Sequence, residues 1–491
     1  MSISFDQIPG NLRTPGYFIE FDSSLAGALS TEFTVLITGQ MLPTGTATPD
    51  ELVLVSDGDE GANLFGVGSH LSEMVYAFKA VPSAKFLTMY VIPQIDLLAG
   101  VPSVGSLVIT DPATGDGILT IYFGGRKIQA AVASGDTPTI IGDSLVAAIT
   151  ADARMMVTAV NALGTVTITA KNDGENGNQI DISANLFDEV LPDGVGLTIN
   201  AMGTGTAGAG NPDITEVIAT MADDKYNWIA MPYTDSGNID LLEAELLRRF
   251  GPMVSIGGRA FNAFRGNLAA TAGFGALNNS PHITTMGSNI SPTPPFILAA
   301  INTAVAGASL LNDPARPLQS LQLNGFIPAK ADVQWDQAER NTLLFDGIAT
   351  QKSSRDGRSF IERQITNFQI NDQGFPDAAY LDIQTAETLD RIRDIQRATI
   401  ATKFGRHKLA DDGTNFAAGQ PVVTPQIIKT ELLAMYTNFI EDLAWAEDYD
   451  GYLETLIVER DGTDKNRINV QDSPNLINQF RVGAQKTQFR V

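Results

Sequence analysis

Few places in this 491-residue chain bring phosphate-binding glycines or reactive side chains together in sequence. The nearest to a chemical pattern is Gly203-x-Gly205-x-x-Gly208, which follows a strand-like run at Gly196–Ala201. Glycines at this spacing let a backbone approach a pyrophosphate at a helix N-terminus. Here the glycines continue to Gly210, so no helix begins before Asn211 and the tight strand–turn–helix unit is broken. Composition reads the segment as a flexible linker. Two acidic turns, Asp57-Gly58-Asp59-Glu60 and Asp173-Gly174-Glu175-Asn176-Gly177-Asn178, offer oxygen donors. Calcium takes about six to eight of them in a closing geometry, and neither turn follows an EF-hand loop. Solvated turns account for both. Nucleophilic catalysis has little to draw on: there is no cysteine and no Gly-x-Ser-x-Gly elbow, and His70, His282 and His407 are scattered. His282, in Ser280-Pro281-His282, reads as a turn residue. Asp223-Asp224 and Asp411-Asp412 hold carboxylates for acid–base work, but adjacent side chains rarely face one another. The expectation is a non-enzyme with no catalytic residue, no cofactor and no metal.

Charge is the remaining chemical feature. With 32 Lys and Arg against 56 Asp and Glu, the net charge is −24. A nucleic-acid partner requires a basic face to neutralise phosphates, so the balance argues against one. An acidic excess also keeps a protein soluble at high concentration before assembly. Within this background Leu381–Ala410 carries six basic residues, Arg391, Arg393, Arg397, Lys403, Arg406 and Lys408, and only four acidic ones. One reading is a solvated helix with i,i+4 pairs such as Glu387–Arg391. The other is a face that docks on an acidic partner surface. No apolar run reaches the length of a transmembrane helix, and Met1–Asp6 lacks the basic start and apolar stretch of a signal peptide. A soluble intracellular product without membrane insertion is expected.

The elements behind these residues divide the chain. At this length about two to four domains are expected, and 45 glycines with 24 prolines favour β-containing modules. The fold class expected is α/β and α+β multidomain: an α/β core interrupted by a β-rich insertion, then a C-terminal α+β domain with a hairpin, flanked by extended arms. Residues 1–22 form the first arm, where Ile3 and Phe5 alternate with polar neighbours and Ile8 precedes Pro9-Gly10. Residues 23–100 and 211–340 form the core, with strands at Val35–Gly39, Thr88–Ile92 and Trp228–Pro232, and a helix at Asn63–Ala80. Val254–Gly258 reads as a further strand and Arg259–Gly273 as helical. Residues 101–210 form the insertion, as short β-runs with one helix near Gly142–Ala153. Residues 341–475 carry helices at Thr385–Phe404 and Gln426–Trp445, then a hairpin Leu453–Val470 turning at Asp461-Gly462-Thr463, with Leu456, Val458, Ile468 and Val470 along it. The last arm, 476–491, presents Ile477, Phe480, Val482 and Phe489. A terminal strand isolated by turns cannot bury its own edges and needs another sheet to join.

The segments Ile3–Phe18 (ISFDQIPGNLRTPGYF), Phe21–Ala26, Pro314–Leu318 with Gly325-Phe326, Asp346–Thr350 and Ile361–Thr366 closely resemble Mu-like phage tail sheath proteins. The likeness is weakest over 101–210. It implies a structural subunit that stacks as hexameric rings around a tail tube and contracts to drive the tube through a host envelope. It also implies neighbours joined by β-augmentation, with the arms Ser2–Ile8 and Leu476–Arg490 donated to the hairpin. A helix of the C-terminal domain would touch the tube, here 385–408 with Arg391, Arg397 and Arg406. The partners implied are copies of the chain, the tube protein, and baseplate and terminator proteins, in a virion tail assembled in the host cytoplasm. Another tail or baseplate structural protein is the alternative within the particle, and an acidic α/β nucleotide-binding enzyme the alternative outside it.

Overall fold

Val35, Leu36 and Ile37 lie fully buried in strand β1 (Thr34–Gln40), an apolar run without polar alternation, as a strand covered on both faces requires. The computed structural model describes residues 33–490 except 418. The expected N-terminal arm therefore lies outside the described residues. Contacts divide the chain into two units, one of residues 33–390 with 478–490 and one of residues 391–477.

In the larger unit β1 is followed by β2 (Val53–Leu54), α1 (Gly58–Phe65), α2 (His70–Ala80) and β3 (Thr88–Gln94). The single helix expected at Asn63–Ala80 is two, because Gly66 and Gly68 take φ of +83° and +80°, where a side chain would be strained. Ser69 then restarts the helix by accepting from the Ser72 N–H. Residues 102–200 build β4 (Pro102–Ile109), β5 (Gly117–Phe123), β6 (Arg126–Val132), α3 (Pro138–Ala151), β7 (Val157–Ala162), β8 (Thr165–Asp173), β9 (Ile182–Ala184) and β10 (Leu197–Asn200). They form two sheets of their own, ordered β10-β4-β8-β7 and β6-β5-β9.

The chain returns to the first sheet through α4 (Thr215–Met221), β11 (Trp228–Ala230), α5 (Ser236–Phe250), β12 (Arg259–Arg265), α6 (Leu268–Ala276), β13 (Ile283–Asn289), α7 (Pro295–Asn312), α8 (Gln337–Phe345), β14 (Ile348–Ser353) and β15 (Ser359–Arg363). The resulting eight-stranded sheet runs β15-β14-β13-β12-β11-β1-β3-β2. Its six inner strands pair in parallel, while β2 and β15 close the edges antiparallel. Strand β1 pairs β11 directly, Val35 opposite Trp228, although the whole 102–200 segment separates them in sequence.

Three expectations are corrected here. Arg259–Arg265 is a central strand rather than a helix, with Ala260 and Phe261 fully buried between its two neighbours. Val254–Gly258 is irregular chain after α5, with Ser255 at φ +56°. The core sheet also continues past residue 340, since β14 and β15 belong to it, and the unit extends to Asp390. Helix α7, 18 residues with mean hydropathy 1.4, does reach membrane-spanning length. It is 78% buried, with Gly307 seated against the Trp228 ring, so its apolarity serves the core.

The smaller unit contains the rest of α9 (Ile383–Phe404), then β16 (Lys408–Leu409), β17 (Val422–Val423), α10 (Pro425–Glu441), β18 (Ala446–Glu447), α11 (Tyr449–Thr455), β19 (Ile457–Arg460), β20 (Ile468–Gln471) and β21 (Asn475–Leu476). Helix α10 buries Ile428, Leu432, Met435, Tyr436 and Phe439, the helical stripe that its sequence spacing announces.

Candidate assembly interface

Many of the reactive-looking residues are engaged within the fold. The N–H groups of Gly203 and Gly205 donate to the Val104 carbonyl at 3.1 and 3.0 Å. Asn178 brackets Gly208, accepting from its N–H at 2.7 Å and donating to its carbonyl at 2.9 Å. A Cβ at Gly208 would stand 2.2 Å from the Gly174 carbonyl oxygen. The glycine segment is thus a strap bound along β4, not the flexible linker expected, and the donors a phosphate would use are engaged. Asp57 caps α1 by accepting from the Glu60 N–H, and Glu60 accepts from the Ser56 N–H. Asp223 pairs with Arg248 at 3.1 Å and Asp411 with Arg460 at 3.0 Å, while Asp412 accepts from the Gln426 N–H in the first turn of α10. Among the described residues no group of three or more His, Asp or Glu side chains is placed to hold a metal ion.

His282 is buried against Phe250, ring centroids 4.8 Å apart. His70 is buried against Phe296 at 4.6 Å, and burial pushes its imidazole down from 6.5 to about 3. The sign is definite. The unfolded chain protonates His70 as pH falls through 6.5, whereas the folded chain keeps it neutral until about 3. Stability from this residue is complete above pH 6.5 and declines between those values, by up to roughly 1.4 kcal/mol per pH unit. Replacing His70 with Phe keeps the ring packing and is expected to remove one proton from the uptake on unfolding in this window. Urea titrations across it check this, and equal pH slopes for both chains would show His70 charged in the fold.

What remains are edges and a tail. Strands β19 and β20 pair only with each other, Ile457 opposite Gln471 and Val458 opposite Val470, and among the described residues neither outer edge is paired. The expected hairpin is shortened at its start. Residues 453–455 finish α11, capped by Asp448 accepting from the Gly451 N–H, and Leu456 is a buried C-cap residue, not a strand position. Its carbonyl accepts from Lys429 of α10 at 2.8 Å, which places the root of the ribbon against that helix. The turn is longer than expected, Asp461–Arg467, and Asp461 organises it by accepting from the N–H groups of Thr463 and Asp464 and from Asn469. These bonds, the Asp464 N–H first, hold the Asp461 carboxyl below the usual carboxylate range. Ile457 is 51% and Val470 47% exposed, while Val458 and Ile468 are half-buried.

Beyond the ribbon, β21 pairs antiparallel with β18, and the Ile477 N–H donates to the Trp445 carbonyl at 3.0 Å. Tyr436 fastens this turn by donating to the Glu447 carbonyl and accepting from the Asn475 N–H, its ring stacked on Tyr452 at 3.7 Å. Residues 478–490 then carry no helix or strand. Phe480, Val482 and Phe489 are 84%, 82% and 84% exposed, and Ile477 is half-buried.

The expected tube-contact stretch divides. Ile383, Gln384, Ala386, Glu387, Thr388 and Asp390, at the start of α9, are buried, so 385–390 belongs to the core of the larger unit. Arg391 is half-buried, and Arg397 and Arg406 are exposed. Sequence reasoning missed the fastening residues Tyr436, Asp382 and Arg481, whose partners lie far away along the chain.

The family described as phage tail sheath protein central domain matches residues 207–367, and phage tail sheath C-terminal domain matches residues 376–490. The Mu-like prophage FluMu tail sheath protein of Haemophilus influenzae is 39% identical over 492 residues, covering 100% of both chains. Among solved structures, the sheath tail protein of Desulfitobacterium hafniense aligns with a TM-score of 0.46 and 14% identity, over 94% of this chain and 100% of that one. The helical sheath of the anti-feeding prophage in its contracted state aligns with a TM-score of 0.48 and 10% identity, over 97% and 99%.

Proposed function

Because this chain belongs to the phage tail sheath family, we propose that it is the repeating subunit of a contractile sheath, joined to its neighbours by donated strands. The observation that carries the reading is a β19–β20 ribbon whose outer edges are unpaired among the described residues, in a chain whose last thirteen described residues expose apolar side chains without pairing. A two-stranded ribbon alone is marginal in water, and added strands complete it. Head-to-tail donation between identical chains generates rings or helices.

In this proposal the acceptor edges are those of Val458, Ile468 and Val470, and the C-terminal arm carries Phe480 at its root and Val482 and Phe489 along the donated strand. The N-terminal Ile3, Phe5 and Ile8 would supply a second strand. Rings of six stack around a tube protein, which Arg397 and Arg406 meet, with Arg391 behind them. Main-chain links survive large rigid-body movement, so the sheath shortens without parting. New contacts between core sheets supply the energy, and no nucleotide is consumed. Residues 102–200 face outward, baseplate and terminator proteins bound the polymer, and assembly takes place in the host cytoplasm. Negative-stain microscopy of the purified, concentrated chain tests the reading. Long striated tubes are expected, and a solution that stays monomeric on concentration would overturn it.

A further inference from the structure

We infer that Asp382 and Arg481 are the positioning residues of strand donation, an ionic clasp that fixes the root and exit of the C-terminal arm. The inference rests on the reading of 478–490 as a donated strand. Apolar packing does not hold that segment, since its large side chains are exposed. Arg481 is the exception, with its side chain only 14% exposed. Its Nη2 donates to Asp382 at 3.0 Å, to Gln384 at 3.2 Å and to Gln479. Asp382 is a firm post: it bridges to Ile365 and immediately precedes the buried Ile383 and Gln384 of α9.

The clasp is also made to open. Arg363 binds the same carboxylate, 3.2 Å to each oxygen, so two guanidiniums share one charge. Arg481 Nε and Nη1 are buried without a hydrogen-bond partner among the described residues. A cleft of about 630 Å³ lies beside it, lined by Arg340, Glu362, Arg363 and Val482, and leaves room for the arm to swing. With the clasp closed the free arm is the ten residues 482–491, reaching about 33 Å; open, it is the fourteen residues 478–491, reaching about 46 Å. Shortening the tether raises the strand's effective concentration at a receiving edge by about twofold, and a nucleus with several such links multiplies that gain.

The chain has no cysteine, so spin labels can be placed at Gln319→Cys and Gln485→Cys alone. At about 50 mM salt the parent should give a narrow distance distribution that broadens at about 1 M, where screening is strong. Arg481→Gln should give the broad distribution at both. In unlabelled protein the same substitution should lengthen the lag of tube formation about tenfold. Exchanging the charges, Asp382→Arg with Arg481→Asp, keeps two guanidiniums on one carboxylate and should restore both readouts. A narrow distribution or an unchanged lag in Arg481→Gln would overturn the clasp. A chain ending at Ile477 separates this from the parent reading. If it forms tubes at the full rate, strand donation falls and the clasp with it. If it forms none while Arg481→Gln assembles normally, only the clasp falls.

Discussion

A chain ending at Ile477 is expected to fold as the full chain does and to form no tubes. The subunit loses little, because Phe480, Val482 and Phe489 are more than four-fifths exposed and 478–490 contributes no ladder hydrogen bond. What it gives up is the Arg481 contact, a partly exposed ion pair of at most about 1 kcal/mol. Its thermal transition should therefore move by no more than a few degrees. The polymer loses the main-chain bonds of an added strand. At about 0.5–1.5 kcal/mol net for each, a strand of roughly five residues accounts for several kcal/mol per link. That is about two to five powers of ten in each association step. Sedimentation should find monomer at concentrations where the parent is polymeric. The truncated chain keeps its ribbon and still accepts a strand, so mixed with the full chain it should shorten tubes in proportion to its fraction. Normal tubes from the truncated chain alone would mean that this tail is not the link.

Asp390→Asn is expected to destabilise the larger unit by about 3–5 kcal/mol, because it strands a buried guanidinium. Arg259 is fully buried, with Nη2 2.8 Å from Asp390 and Nη1 donating to the Gly258 carbonyl at 2.6 Å. The space is tight: a Cβ on Gly257 would lie 2.3 Å from the Asp390 carboxylate. No rearrangement brings water to the lone charge cheaply. A drop of roughly 5–15 °C in the melting of that unit should follow. The double change Arg259→Met with Asp390→Leu removes both charges at similar volume and should recover most of the loss. If the single and double variants melt alike, packing rather than stranded charge sets the cost.

Local pattern found most of the strands and helices, because period and apolar runs are properties of consecutive residues. The strands at Thr34, Thr88 and Trp228, the 102–200 β-runs and the α10 stripe were legible for that reason. Failures came where distant partners decided. Arg259–Arg265 mixes helix-favouring Ala and Arg with strand-favouring Phe, so its composition decides neither state, and it becomes a strand because β11 and β13 pair on either side. The glycines at 203–210 have a linker's composition and become a strap because Val104 and Asn178 take up their backbone groups. Leu456 sits in an apolar run and leaves the hairpin because α11 ends there.

By itself the sequence determined the absence of thiol chemistry, the acidic balance and, through its likeness to sheath proteins, the family. Those depend on composition or on contiguous motifs. Only the tertiary structure decided that the ribbon starts at Ile457 with both outer edges unpaired among the described residues, that Tyr436 ties Glu447 to Asn475, and that Arg481 lies on Asp382 across 99 residues of chain. Ion pairs and sheet edges are made by groups remote in sequence, and no local period records which of them will meet.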